Sequence, residues 1–296
     1  MPEIKDPAYI EQNNGGEKME LVKGNVYAAL ISPGCNVGII PTKKGTLIVD
    51  TPLMSRQANA INDALVAAGH KPVHFIAITH HHGDHVLGTN LFGEGTLIIG
   101  NHIIYENVGK HRPSWVEAWA KTWTWDNPDD VKEMVAAQVL RPEVIFKDEL
   151  SLRLDGIEIW LFPLPGHLPE STGVFIPETG VLIAGDALFC DHHPYMGEGN
   201  FQAWFESFEK MRGLRADRII PGHGPVCGYE AVDKQQRYME KMAEIRSNWN
   251  PAHGQAAIPP NDIGELLAFY PLHGRPEEMM RERIIESIRI AGDPQF

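Results

Sequence analysis

Thr79-His80-His81-His82-Gly83-Asp84-His85 follows directly on the apolar run from Val73 to Ile78. That run is short and rich in β-branched and aromatic residues, which predicts a strand. The H-x-H-x-D-H spacing does not suit one helix face, which would need its ligands three or four residues apart. It suits a tight loop leaving a strand, where alternate side chains converge from two directions.

The same local plan recurs three times. The run Ile157 to Phe162 leads into Pro165-Gly166-His167, Val181 to Ala184 into Gly185-Asp186, and Arg218 to Ile220 into Pro221-Gly222-His223-Gly224. In each, a metal-capable side chain sits beside a glycine that lets backbone or ligand approach closely. Sites in α/β proteins are built at such strand ends. Imidazole and carboxylate donors without a thiolate suit Zn²⁺, and equally Fe or Mn. Without a cation, several polar side chains converging there would be costly to desolvate.

Further short apolar runs predict strands at Val26–Ile31, Val37–Ile40, Thr46–Asp50, Thr96–Ile99 and Val174–Ile176, with a hairpin turn at Thr179-Gly180. Helices are expected over Ser55–Ala68, capped near Gly69, and over Gln202–Leu214. Ser114 to Glu117 has the form of a capping box, and Asn127-Pro128 that of an N-cap with Pro at the first helical position. The polar first twenty residues read as a loose lead-in, and the pattern from Tyr229 onward is mostly helical. No internal repeat or low-complexity tract interrupts this order. The expectation is one layered α/β domain over 1–296, with a core of about 20–230, a helical insertion at about 102–140 and a helical extension over 231–296.

Composition narrows the function. The chain has 296 residues, 43% hydrophobic and 22% charged, which is ordinary globular composition. A net charge of −13 argues against a phosphate-tracking surface and hence against a nucleic-acid partner. Three cysteines make no disulfide framework. The first ten residues carry no apolar signal-like region, and no run of ~18 apolar residues follows. A cytoplasmic protein with no membrane partner is expected.

The combined set H-x-H-x-D-H, PGH, GD and PGHG, with the strand Leu47 to Thr51, resembles the metallo-β-lactamase-fold hydrolase superfamily, in particular its glyoxalase II and lactonase-like branch. The resemblance implies a four-layer αββα sandwich with a dinuclear metal site between the sheets. By position, it implies that His80, His82 and His167 hold one metal and that Asp84, His85 and His223 hold the second. Asp186 would bridge the pair. Two Zn²⁺ per chain are implied, with Fe or Mn also compatible. Two such ions share a hydroxide at neutral pH that attacks a carbonyl carbon, and accept the departing alkoxide or thiolate.

Departures from subfamily patterns narrow the reaction. β-Lactamases of this fold lack the bridging aspartate that Asp186 matches here. The tRNA-processing nucleases need a basic extension that this acidic chain lacks. The run Gly185-Asp186-Ala187-Leu188-Phe189 is similar to glyoxalase II, but the Gly-Cys-Gly-Arg stretch that follows in those enzymes is absent. Acyl-homoserine lactonases carry Tyr where Phe189 stands. The expectation is a hydrolase of a lactone, ester or thioester in a small, fairly apolar substrate, with Asp84 and Asp186 at the catalytic centre. The alternative is a mononuclear iron oxygenase resembling persulfide dioxygenases, with ligands at His80, His167 and Asp186.

Neighbouring residues complete the expectations. The stretch Phe189 to Asn200 reads as a loop over the metals whose His192, His193 and Tyr195 orient substrate or stabilise an oxyanion. His81 reads as turned away from the metals, and Cys190 and Cys227 as inert buried thiols. Trp115, Trp119 and Trp123 share one helix face, which serves as packing, as a lid over the pocket, or as a homodimer contact.

Overall fold

Apolar segments too short for helices pair into two β-sheets, and amphipathic segments cover their outer faces. The computed structural model describes residues 18–110, 113–121, 127–249 and 258–291. The first sheet has seven strands in sequential order: β1 (Lys18–Lys23), β2 (Val26–Leu30), β3 (Val37–Ile40), β4 (Thr46–Val49), β5 (Val73–Ala77), β6 (Leu97–Asn101) and β7 (Val144–Phe146). Its first four strands pair antiparallel and its last four parallel. The second sheet has five: β8 (Leu150–Leu154), β9 (Ile157–Pro163), β10 (Thr172–Ile176), β11 (Val181–Phe189) and β12 (Arg218–His223), with only the β11–β12 pair parallel.

Three apolar layers hold the sandwich. Between the sheets, Val26, Leu47, Val49 and Ala77 meet Ile159, Leu161, Val174, Ile183 and Ile220. The outer face of the first sheet is covered by α1 (Ser55–Ala67) and α3 (His102–Val108) through Ile61, Leu65, Ile104 and Val108. The second sheet is covered by α6 (Phe201–Leu214), α7 (Tyr229–Asn248), α8 (Pro260–Leu267) and α9 (Glu277–Ile290). This is the αββα order, and the C-terminal helices α7 to α9 belong to its outer layer. Because β4 is buried on both faces, Thr46 is followed by three consecutive apolar residues, Leu47 to Val49, rather than by an alternating pattern.

The expected strands form, with edge strands added. β1 starts inside the segment read as a lead-in, and β7 and β8 were not anticipated. The loop after β5 winds into one helical turn, α2 (Gly83–Val86), which carries Asp84 and His85. In the insertion, α4 spans Pro113–Ala120 and α5 spans Pro128–Ala136. Asn127 caps α5 by accepting from the Asp129 N–H at 3.0 Å. Ser114 is no N-cap: α4 already begins at Pro113, which puts Ser114 inside the first turn. Trp123, and the side chains of Trp115 and Trp119, lie outside the described residues. Among the described residues, no helix is long and apolar enough to cross a membrane.

Candidate metal centre

Four strand ends converge at one edge of the sandwich. β5 delivers His80 and, through its loop and α2, His82, Asp84 and His85. β9 delivers His167 through the Pro165-Gly166 turn, and β12 ends on His223. Asp186 lies within β11, where the pairing with β12 shifts register on both sides of Gly185. Gly185 has φ +52°, and a Cβ there would lie 2.6 Å from Thr79 Oγ1, so only glycine permits this bulge. The two sheets are tied together beside the site. Thr172 N–H donates to Thr79 O at 2.9 Å, and Asn36 N–H donates to Gly222 O at 2.8 Å. The Asn36 side-chain amide also donates to the carbonyls of Pro221 (2.9 Å) and Gly224 (2.7 Å), which moors the His223 loop to the first sheet.

The seven residues form two adjoining donor groups. His80, His82, His167 and Asp186 offer donor atoms within 4.8 Å of one another, and so do Asp84, His85 and His223. His82 Nδ1 stands 2.9 Å from His167 Nε2. Asp186 faces both groups at once. Its Oδ2 lies 3.4 Å from His167 Nε2 and 3.9 Å from His80 Nε2, while its Oδ1 lies 3.2 Å from His85 Nε2 and 3.4 Å from His223 Nε2. Asp84 Oδ2 stands 3.3 Å from His223 Nε2. A Cβ at Gly222 would sit 1.9 Å from Asp186 Oδ1, so the PGHG glycine makes room for that oxygen.

This donor set fits metal ions. His80 Nε2, His85 Nε2 and Asp186 Oδ1 are buried and have no hydrogen-bond partner in the protein, and all three point into the cluster. Orphaned polar atoms of this kind are costly to bury unless a ligand satisfies them. The far sides of the rings are held, as metal-binding histidines require. His85 Nδ1 lies 2.8 Å from Asp50 Oδ2, His80 Nδ1 lies 3.0 Å from Thr79 Oγ1, and His167 Nδ1 lies 3.1 Å from the Tyr195 carbonyl. Asp50 in turn accepts from both the Thr79 N–H (2.8 Å) and the Thr79 hydroxyl (2.7 Å). His82 Nε2 lies 2.9 Å from Glu198. Cys35 lies beside Asp50 and His85, and burial pushes its thiol up to about 12, so without a cation it is protonated at pH 7.

Asp50, the aspartate of the "LIVDT" run, directly follows β4 and adopts φ 63°, with its carboxylate on the His85 ring. Replacing Asp50 with Asn leaves a neutral amide against the His85 ring. Metal affinity is expected to fall about 10- to 100-fold, read by competition with a chromogenic chelator.

Protonation differs between the two groups. Burial, reinforced by His85, holds the His80 pKa well below its ordinary value, and burial lowers His167 to about 3, so both imidazoles are neutral at pH 7. Burial also works against charge on His223, yet Asp186 and Asp84 outweigh it and raise the pKa to about 9. Without a cation, His223 is therefore protonated at pH 7. A cation must take the lone pair that this proton occupies. Metal addition to chelator-treated protein at pH 7 is expected to release protons, and the release is expected to shrink as pH rises through about 9, where His223 itself loses its proton. Calorimetry in buffers of different ionisation enthalpy measures it.

A cavity of about 440 Å³ opens above the cluster. Asp84, Asp186 and His223 form its floor, and Leu87, Val116 and Phe189 an apolar wall. His192, His193 and Tyr195 line it from the segment after β11. Burial lowers both His192 and His193 to about 4, so they are neutral at pH 7. The His193 ring nitrogen Nδ1 lies 3.0 Å from the Tyr238 hydroxyl, and His192 stacks on His273 with ring centroids 4.0 Å apart. His81 turns to the buried Glu170 carboxylate while its ring borders the cavity. Cys227 is buried but Cys190 only half so. Arg275 and Arg283 also line the cavity, and sequence reasoning missed both, because an arginine in a charged helix or just ahead of one looks like any solvated one.

A profile of the metallo-beta-lactamase superfamily matches residues 33–223, which contain the whole donor set. The chain belongs to that superfamily. Among its members, it is 26% identical over 216 residues to the "Beta-lactamase-like protein 2 homolog" of Caenorhabditis elegans, covering 70% of this chain and 61% of that protein. It is 25% identical over 228 residues to a hydroxyacylglutathione hydrolase of Methylococcus capsulatus, covering 74% and 75%. A solved sec-alkylsulfatase from Pseudomonas sp. superposes with a TM-score of 0.64 at 16% identity over 93% of this chain and 51% of its own, which shows a shared fold. The chain thus spans only part of several relatives: 61% of the first and about half of the alkylsulfatase.

Proposed function

We propose that this superfamily member is a dinuclear zinc hydrolase that opens an ester-like bond, whether lactone, ester or thioester, in a small substrate. The observation that carries this reading is Asp186, whose two oxygens face different donor groups. A thioester as one substrate class also agrees with the hydroxyacylglutathione hydrolase among its relatives.

His80, His82 and His167 would hold one ion, Asp84, His85 and His223 the other, with Asp186 between them. Bound there, two cations would supply a hydroxide at neutral pH and polarise a carbonyl oxygen. The chain's own residues do the rest. Asp50, Thr79 and the Tyr195 carbonyl fix ring orientations so that the donor nitrogens need no reorganisation. Leu87, Val116 and Phe189 exclude water from one side of the cavity. The Tyr195 hydroxyl would donate a hydrogen bond to substrate oxygen, whereas neutral His192 gives its one ring N–H to the Cys190 carbonyl at 3.0 Å and His193 is engaged by the Tyr238 hydroxyl.

Elemental analysis of purified protein, followed by turnover on a panel of esters, lactones and thioesters, tests the reading. About two zinc ions per chain and a chelator-sensitive rate support it. One iron per chain with oxygen consumption on a persulfide would replace it with the oxygenase alternative.

A further inference from the structure

The two donor groups are braced from different directions. In the second, His85 leans on Asp50, which is only 1% exposed, and the His223 loop is moored by Asn36 from the first sheet. In the first, two of the three rings lean on one short segment beyond β11. His167 Nδ1 lies 3.1 Å from the Tyr195 carbonyl, and His82 Nε2 lies 2.9 Å from Glu198 Oε2. The Glu198 side chain is 55% exposed and lines the cavity. The segment also closes on the turn that carries His167. The Asn200 N–H donates to the Gly166 carbonyl at 2.7 Å, and Asn200 then caps α6 by accepting from the Ala203 N–H at 2.9 Å. A Cβ at Gly199 would lie 3.1 Å from that same Gly166 oxygen, so a side chain there would press the segment off the turn.

These contacts decide where the ring protons sit. A carbonyl and a carboxylate only accept, so His167 donates from Nδ1 and His82 from Nε2. A neutral imidazole has one N–H, which leaves the lone pairs on His167 Nε2 and His82 Nδ1. Those two atoms face each other 2.9 Å apart. Lone pairs that close repel, and an ion bound by both rings relieves them. The other four candidate histidines turn Nε2 toward Asp186, whereas His82 turns Nδ1 inward, so its far nitrogen meets an exposed residue instead of a buried one.

We propose that the segment from Tyr195 to Asn200 is a clasp for the first donor group alone, with Glu198 as its positioning residue. The ion at His80, His82 and His167 is then held from the exposed cavity wall, and the ion at Asp84, His85 and His223 from the interior. By linkage, loading the first ion steadies the segment in return. This deepens the two-ion reading above and rests on it.

Zinc loading of metal-free protein against a chromogenic chelator is expected to resolve two affinities. Glu198→Ala is expected to weaken one of them about 10- to 100-fold and leave the other unchanged. Glu198→Gln keeps an acceptor oxygen and is expected to lose less. Gly199→Ala is expected to weaken the same ion although it removes no polar group, and Asp50→Asn to weaken the other. Nitrogen-15 NMR of the metal-free protein identifies the site: Glu198→Ala is expected to shift the His82 ring nitrogens and leave those of His85 in place. Zinc is expected to slow amide exchange at Gly199 and Asn200 in the unaltered protein, and to slow it less in Glu198→Ala. Equal weakening of both ions by Glu198→Ala, no weakening at all, or loss of the same ion in Asp50→Asn overturns the clasp while the two-ion reading stands. A single ion per chain whose affinity falls in Glu198→Ala overturns the two-ion reading and leaves the clasp.

Discussion

Replacing Asp186 with Ala is expected to lower the hydrolytic rate by about 10³-fold or more and to leave fewer than two metal ions per chain. A 10³-fold loss corresponds to about 4 kcal/mol of transition-state stabilisation. That is in the range expected when a preorganised electrostatic contact at the reacting centre is removed. The reason is geometric. Asp186 is the anion that both donor groups share, with four histidine nitrogens between 3.2 and 3.9 Å from its oxygens. Burial would raise its pKa, yet His223 and His85 hold it well below the ordinary carboxylate value, so it is ionised at every working pH. Alanine removes that charge and leaves the imidazoles facing one another across a gap. Asp186→Asn separates charge from shape, because the amide is nearly isosteric. Steady-state kinetics with metal analysis reads both variants. A normal rate in Asp186→Ala protein that still carries two ions would sink the proposed mechanism.

The second large effect falls on stability. Trp204 on α6 is fully buried, and its indole N–H donates to the Ala187 carbonyl at 2.7 Å, immediately after Asp186. The same residue packs on Gly166, where a Cβ would lie 2.5 Å from Trp204 Cα, immediately before His167. Its ring meets the His167 ring edge-on at 5.7 Å. Trp204→Ala is therefore expected to destabilise the fold by about 3–5 kcal/mol, as deletion of a large core aromatic does. Urea unfolding measures the shift in midpoint. Trp204→Phe keeps a ring but loses the donor; the Ala187 carbonyl keeps the longer bond from the Gln235 amide at 3.4 Å, so about 0.5–1.5 kcal/mol is expected for the lost bond. Because the contacts flank two of the candidate ligands, metal affinity is expected to fall with stability in the alanine variant.

Residues that act through their own neighbours were visible in the chain itself. The apolar runs predict strands because a run of that length satisfies its backbone only by pairing, and the metal-capable side chains follow those runs by a few residues. Asn127-Pro128 was readable for the same reason: its cap bond spans two residues. The misread Ser114 shows how narrow such signals are, since a proline one position earlier already provides the preset φ of a first helical residue. β8 was overlooked although Leu150, Leu152 and Leu154 alternate with Ser151 and Arg153, because an alternation of only five residues carries little weight without a partner strand.

From the order of its residues alone, this chain discloses its layered architecture and which imidazoles and carboxylates stand ready at the strand ends. Packing alone decides that Asp50 braces His85, that Asn36 moors the His223 loop, and that Arg275 and Arg283 reach the same cavity as Asp84. Periodicity and turn chemistry are properties of adjacent residues and leave a local trace. A cavity shared by α9 and residues nearly two hundred positions earlier leaves none, because it exists only once the sheets have closed and the outer helices have docked.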